Sequence, residues 1–115
     1  MNNEDILTIK ILGTKYTIEE VDKDSDSFLE EADGYCDVTS KRIVITKEYS
    51  ENGADNWEER RKKLLRHEIV HAFLFESGLH ENFRHKKWGH DETIVDWIAV
   101  QSPKMLKVFK KIGCL

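Results

Sequence analysis

Residues 66–75, Arg66-His67-Glu68-Ile69-Val70-His71-Ala72-Phe73-Leu74-Phe75, place two imidazoles and a carboxylate inside a dense apolar run. Apart from His71, every residue from Ile69 to Phe75 is apolar. On a helix such a run offers no wide polar face, and a helix that is hydrophobic nearly all round is normally buried. Burial of two imidazoles and a carboxylate is costly unless each finds a partner. A metal ion would satisfy all of them. Residues four apart on a helix project within about 40° of each other and about 6 Å apart along the axis, so His67 and His71 can reach one Zn²⁺. Glu68 flanks the same face and can act on a metal-activated water without being a ligand.

The bulk of the chain sets few further limits. A length of 115 residues predicts one domain spanning 1–115, able to bury a modest core without disulfides. The net charge of −4, with both signs interspersed and no basic stripe, gives no reason to expect a nucleic-acid partner. The start, Met1-Asn2-Asn3-Glu4-Asp5, is acidic and no hydrophobic leader follows it. No run approaches transmembrane length, so no membrane role is expected. Cys36 and Cys114 are far apart and form no CxxC, which predicts free thiols and a cytoplasmic setting. A monomer is the expected state.

Local patterns predict two hairpins followed by helices, an α+β domain. Residues 6–12 and 16–21 read as one antiparallel pair turned at Gly13-Thr14, and residues 34–38 and 42–46 as a second. Ile43-Val44-Ile45 is a continuous apolar run, as in a strand covered on both faces. Asp22, Asp24 and Asp26 alternate like calcium ligands. Position 27 is Ser where an EF-hand loop needs Gly, so a solvated loop or short helix is expected. A helix is predicted over about 57–77, ended by Gly78. A polar loop over 79–90 carries His80, His85 and His90. A second helix follows over about 91–101. Ser102-Pro103 reads as the cap and first residue of a short third helix, ended by Gly113.

A catalytic zinc needs a third protein ligand and one open position. Leu74 and Ser77 stand where the metzincin pattern requires Gly and His, which excludes that class. On the second helix, Glu92 and Asp96 are four apart and share a face, while Ile94, Val95, Trp97 and Ile98 make much of the rest apolar.

With His67-Glu68-x-x-His71 and a downstream Glu92-x-x-x-Asp96, the chain resembles the gluzincins, the thermolysin-type zinc peptidases. It is also similar to the ImmA/IrrE-type metallopeptidases of bacteria and their prophages, some of which cleave repressors. The motifs cover about residues 64–100. The resemblance implies a zincin-like fold: a small antiparallel or mixed sheet, an active-site helix, a glutamate helix and a short C-terminal helix. It implies one zinc per chain on His67, His71 and Glu92, with Glu68 as general base and Asp96 holding a histidine ligand. Where the family usually carries Asn before the ligand Glu, this chain has Asp91.

The function so implied is hydrolysis of peptide bonds in a protein or peptide substrate. Zinc would activate the water, and Glu68 would take its proton and pass it to the leaving amine. His80, His85, His90, Tyr35 and Tyr49 are the candidates for stabilising the oxyanion. The hairpin at 34–46 is the candidate edge for binding an extended peptide. The rival class is an inactive or latent zinc-binding interaction module. In one form of it, the Cys114 thiolate would fill the open position. Glu68 argues against the module, because a purely structural zinc site has no use for that carboxylate.

Overall fold

The computed structural model describes residues 6–47, 57–79 and 92–115, without the side chains at 92, 93, 95, 96 and 99. Four strands come first: β1 (Ile6–Ile11), β2 (Thr14–Val21), β3 (Gly34–Asp37) and β4 (Arg42–Thr46). Two helices follow, α1 (Trp57–Glu76) and α2 (Glu92–Ile112). Between β2 and β3 lie two short 3-10 turns, Lys23–Ser25 and Ser27–Glu30, where the alternating aspartates fall.

Both hairpins form. The first turns at Leu12-Gly13, one residue earlier than the sequence pattern suggests, with φ of 50° and 88°. Positive φ at both central residues marks the two-residue turn whose twist matches that of paired strands. The second hairpin is closed by Asp37, whose carboxylate accepts from the Thr39 hydroxyl (2.6 Å) and from the amides of Thr39 (2.9 Å) and Ser40 (3.2 Å). Those bonds from Thr39 and Ser40 pull the Asp37 carboxyl down to about 2.

Local patterns could not supply the way the hairpins join. The strand order is β1-β2-β4-β3, with β2 and β4 parallel, so the sheet is mixed and β3 lies at its edge. β4 is an interior strand, and Ile43, Val44, Ile45 and Thr46 are all fully buried, as their apolar run implies.

Leu65, Ile69, Ala72 and Phe73 of α1 recur at helical spacing and pack on Ile9, Ile11, Tyr16, Ile18, Ile43 and Ile45 of the sheet. This arrangement corrects one expectation. α1 is one-sided rather than buried all round, and among the described residues His67 and His71 are exposed. Only Glu68 of the three is buried, at 5% exposure. Gly34 explains how closely β3 approaches this helix. A Cβ there would meet Val44 O at 3.0 Å, Ile45 Cγ2 at 3.1 Å and Leu64 Cδ1 at 3.2 Å.

A second correction concerns the C-terminal half. The expected helices at 91–101 and 103–112 are one helix, α2, with Pro103 inside it. Proline removes one i→i−4 bond and crowds the preceding turn. Here Trp97, Met105, Val108 and Ile112, on both sides of Pro103, pack on the same core and carry the helix through. Gly113 (φ 76°) ends it, with the amides of Gly113 and Cys114 donating to Phe109 O at 2.9 and 3.0 Å. No helix among the described residues is long and apolar enough to cross a membrane.

Candidate metal centre

The third and fourth turns of α1 carry the site. The core-facing stripe of Leu65, Ile69, Ala72 and Phe73 fixes the rotation of the helix. His67 and His71 then fall on the outer flank, and Glu68 points inward beneath them. Their ligating atoms all lie within 4.8 Å of one another. His67 Nε2 and His71 Nε2 are 3.2 Å apart, with the rings inclined at 75°. Two nitrogens bound at about 2.0–2.1 Å to a tetrahedral zinc would sit roughly 3.3 Å apart. The pair therefore fits that ion's donor geometry.

Glu68 has no hydrogen-bond partner among the described residues, and burial pushes its carboxyl up to about 7. Although exposed, His71 is held below its ordinary value by partial desolvation and by the neighbouring His67 imidazole. That favours the neutral ring a metal requires.

Edge strand β3 lies alongside. Cys36 enters the pocket beside His67, Glu68 and His71. Burial first, and the Glu68 and Asp37 carboxylates after it, push the Cys36 thiol up to about 12. It forms a wall of the site. Sequence reasoning missed Cys36 because nothing in its local pattern ties it to Glu68; only the pairing of β3 with β4 brings it there.

The other expected residues divide. Tyr35 belongs to the same strand, but its hydroxyl donates to Asp26 and its ring meets Phe28 edge-on at 5.5 Å. Those contacts engage its hydroxyl and ring, while the residue also lines the pocket of His67, Glu68 and His71. Cys114 is also corrected. It is fully buried in the main core, with its thiol directed at Phe109 O (3.7 Å) and its carbonyl accepting from Arg66 (2.6 Å), and it is not among the residues that line the pocket of His67 and His71. Tyr49, His80, His85 and His90 lie outside the described residues. Glu92 and Asp96 lie in the first turns of α2, with their side chains outside the description. The adjacent Trp97 donates its indole N–H to Ser77 Oγ at 2.7 Å, which ties that part of α2 to the end of α1.

Glu76, in the last turn of α1, was not singled out by any pattern. It accepts from Thr14 Oγ1 (2.9 Å), Tyr16 OH (2.7 Å) and Lys41 Nζ (2.8 Å), joining α1 to β2 and to the β3–β4 turn. Burial alone would raise its carboxyl, but the bonds from Lys41, Tyr16 and Thr14 bring it below its ordinary value. Burial, then the Glu76 bond and charge, raise the Tyr16 hydroxyl.

No protein-family model, curated protein or solved structure matches this chain.

Proposed function

We propose that the chain is a zinc-dependent peptidase of gluzincin type, similar to the minimal ImmA/IrrE-like enzymes. The observation that carries the reading is the His67–His71 Nε2 separation of 3.2 Å above a buried carboxylate that no described residue satisfies. A structural role for Glu68 would demand a partner, as Glu76 has. A role toward a ligand explains why none of the described residues supplies one.

His67 and His71 would hold the metal, with Glu92 as the proposed third ligand. When bound, the ion would supply Lewis acidity, which acidifies water and polarises a carbonyl. Glu68, at the floor of the pocket, would accept the proton at its carboxylate and return it to the leaving amine. Asp96, one turn beyond Glu92, would accept the N–H of a ligand imidazole that faces away from the metal and so fix its tautomer. The open edge of β3 would hold an extended peptide as an added strand.

The test is metal analysis of protein stripped with a chelator and reloaded. We expect one zinc per chain in the wild type, severely weakened by His67→Ala, His71→Ala or Glu92→Ala. A wild-type chain that cannot retain stoichiometric zinc would remove the proposal. If Glu92→Ala alone retains it as wild type does, the third ligand lies elsewhere and the gluzincin assignment fails.

A further inference from the structure

Two cavities meet at Glu68. One, of about 500 Å³, lies toward the start of β3 and is lined by Asp33 and Gly34 opposite Arg60, Lys63 and Leu64 of α1. The other, of about 410 Å³, lies toward the end of β3, between Cys36 and Val38 and the side chains of Leu74 and Phe75. Gly34, His67 and Glu68 line both, so the two form a single groove between the β3 edge and α1.

Its arms are chemically unlike. The first carries the Arg60 and Lys63 cations. Besides the Glu68 shared with the other cavity, it carries Asp33, already held by Lys23 at 3.1 Å and Arg60 at 3.6 Å, and Lys63 has no ion pair among the described residues. The second arm, beyond His71, Tyr35 and Cys36, is walled by the apolar Val38, Leu74 and Phe75, and the Lys41 ammonium that lies over Phe75 at 4.6 Å is already paired with Glu76 at 2.8 Å.

The ladder shows which main-chain groups face the groove. Gly34 pairs with Ile45, and the Thr46 amide donates to Asp33 O at 2.8 Å. In an antiparallel ladder, bonded and non-bonded pairs alternate. Tyr35 and Asp37 therefore spend their amides and carbonyls on β4. Gly34 and Cys36 turn theirs away from β4, to an edge that no other described strand pairs, on either side of Glu68.

Resting on the peptide-binding part of the proposal above, we infer that the groove selects an extended peptide with an apolar residue N-terminal to the reacting bond and a carboxylate C-terminal to it. Antiparallel addition to β3, the slightly more stable pairing, sets the direction. It places the peptide's N-terminal side by Val38, Leu74 and Phe75, and its C-terminal side by Arg60 and Lys63. The carboxylate is that of an Asp or Glu side chain or of the peptide's own terminus.

The experiment measures fluorescence anisotropy of labelled peptides on the zinc-loaded Glu68→Gln protein, with hydrolysis by the wild type followed in parallel. The peptides share one length and carry apolar–acidic, acidic–apolar or apolar–basic flanks, each with a free or an amidated C-terminus. We expect apolar–acidic peptides to bind about fivefold or more tighter than apolar–basic ones, as one to two partly screened charge pairs allow. Lys63→Glu, a surface change checked by circular dichroism, should abolish or invert that preference. Amidation removes the preference if the terminus is the recognised group and leaves it if the side chain is.

Equal binding of acidic and basic flanks, equal binding of the reversed order, an unaltered preference in Lys63→Glu, or no binding of any peptide would overturn the inference. Hydrolysis with no flank preference breaks only the inference. Flank preference without hydrolysis keeps the groove and removes the peptidase.

Discussion

Glu68 and Glu76 lie about two turns apart on one helix, both largely buried, and the structure treats them in opposite ways. Glu76, with 12% of its side chain exposed, collects three donors from β2 and the β3–β4 turn. Its carboxyl falls below the ordinary value. Glu68, at 5% exposure, collects none among the described residues and is pushed up to about 7. A buried carboxylate costs free energy unless hydrogen-bonded or paired. Glu76 meets that requirement within the fold and fastens α1 to the sheet. No described residue does the same for Glu68. The contrast separates a carboxylate satisfied within the fold from one that the proposed function assigns to a ligand.

The sharpest way to break this contrast is to make both carboxylates neutral in turn. Glu68→Gln should lower hydrolysis of any cleaved peptide about 10²–10⁴-fold. The unfolding free energy of the metal-free protein at neutral pH should stay equal or rise, since a buried charge with no partner has been removed. Steady-state rates and urea unfolding read the two effects, and a mutant as fast as wild type would take Glu68 out of the chemistry.

Glu76→Ala should do the reverse. Losing the three bonds and stranding the buried Tyr16 hydroxyl should cost about 2–3 kcal/mol in urea unfolding. Zinc content should not change. A Glu76 variant that unfolds like wild type but loses zinc would dissolve the distinction.

Asp96→Asn extends the comparison to α2 and asks which kind of carboxylate Asp96 is. As an orienting partner of a ligand imidazole, it should weaken zinc about 10–100-fold with the three ligands still in place. Competition with a chromophoric chelator would measure this. Lost stability with unaltered zinc affinity would instead group Asp96 with Glu76.

The smallest effect is in pH. Because the folded-state value of Glu76 lies below its unfolded value near 4.5, its contribution is fully present above that value and is lost as pH falls through the folded one. Thermal unfolding of wild type and Glu76→Gln, followed from neutral to below about pH 4, should show curves that converge toward acid. A gap that widens on acidification would reverse the assigned sign.

Much of the site and its scaffold was legible from local pattern. α1 runs from Trp57 to Glu76 where its periodicity and Gly78 place it. Both hairpins sit close to their patterned residues, and the i, i+4 spacing alone brings His67 and His71 together. These features depend on bonds and contacts within a few residues, which a short stretch of sequence already encodes. Long-range packing decided the rest. The parallel pairing of β2 with β4, which leaves β3 at the edge of the described sheet beside the helix, needs two segments far apart in sequence to choose each other. α2 passes through Pro103 because both halves find the same core, overriding the local stop signal. Which polar residues of α1 meet water was likewise undecided until the sheet took one face. Among the described residues, the same helix chemistry leaves His67 and His71 exposed, Glu68 buried without a partner, and Glu76 part-buried with three. Burial and satisfaction belong to the neighbours a side chain meets, and the tertiary fold supplies those neighbours.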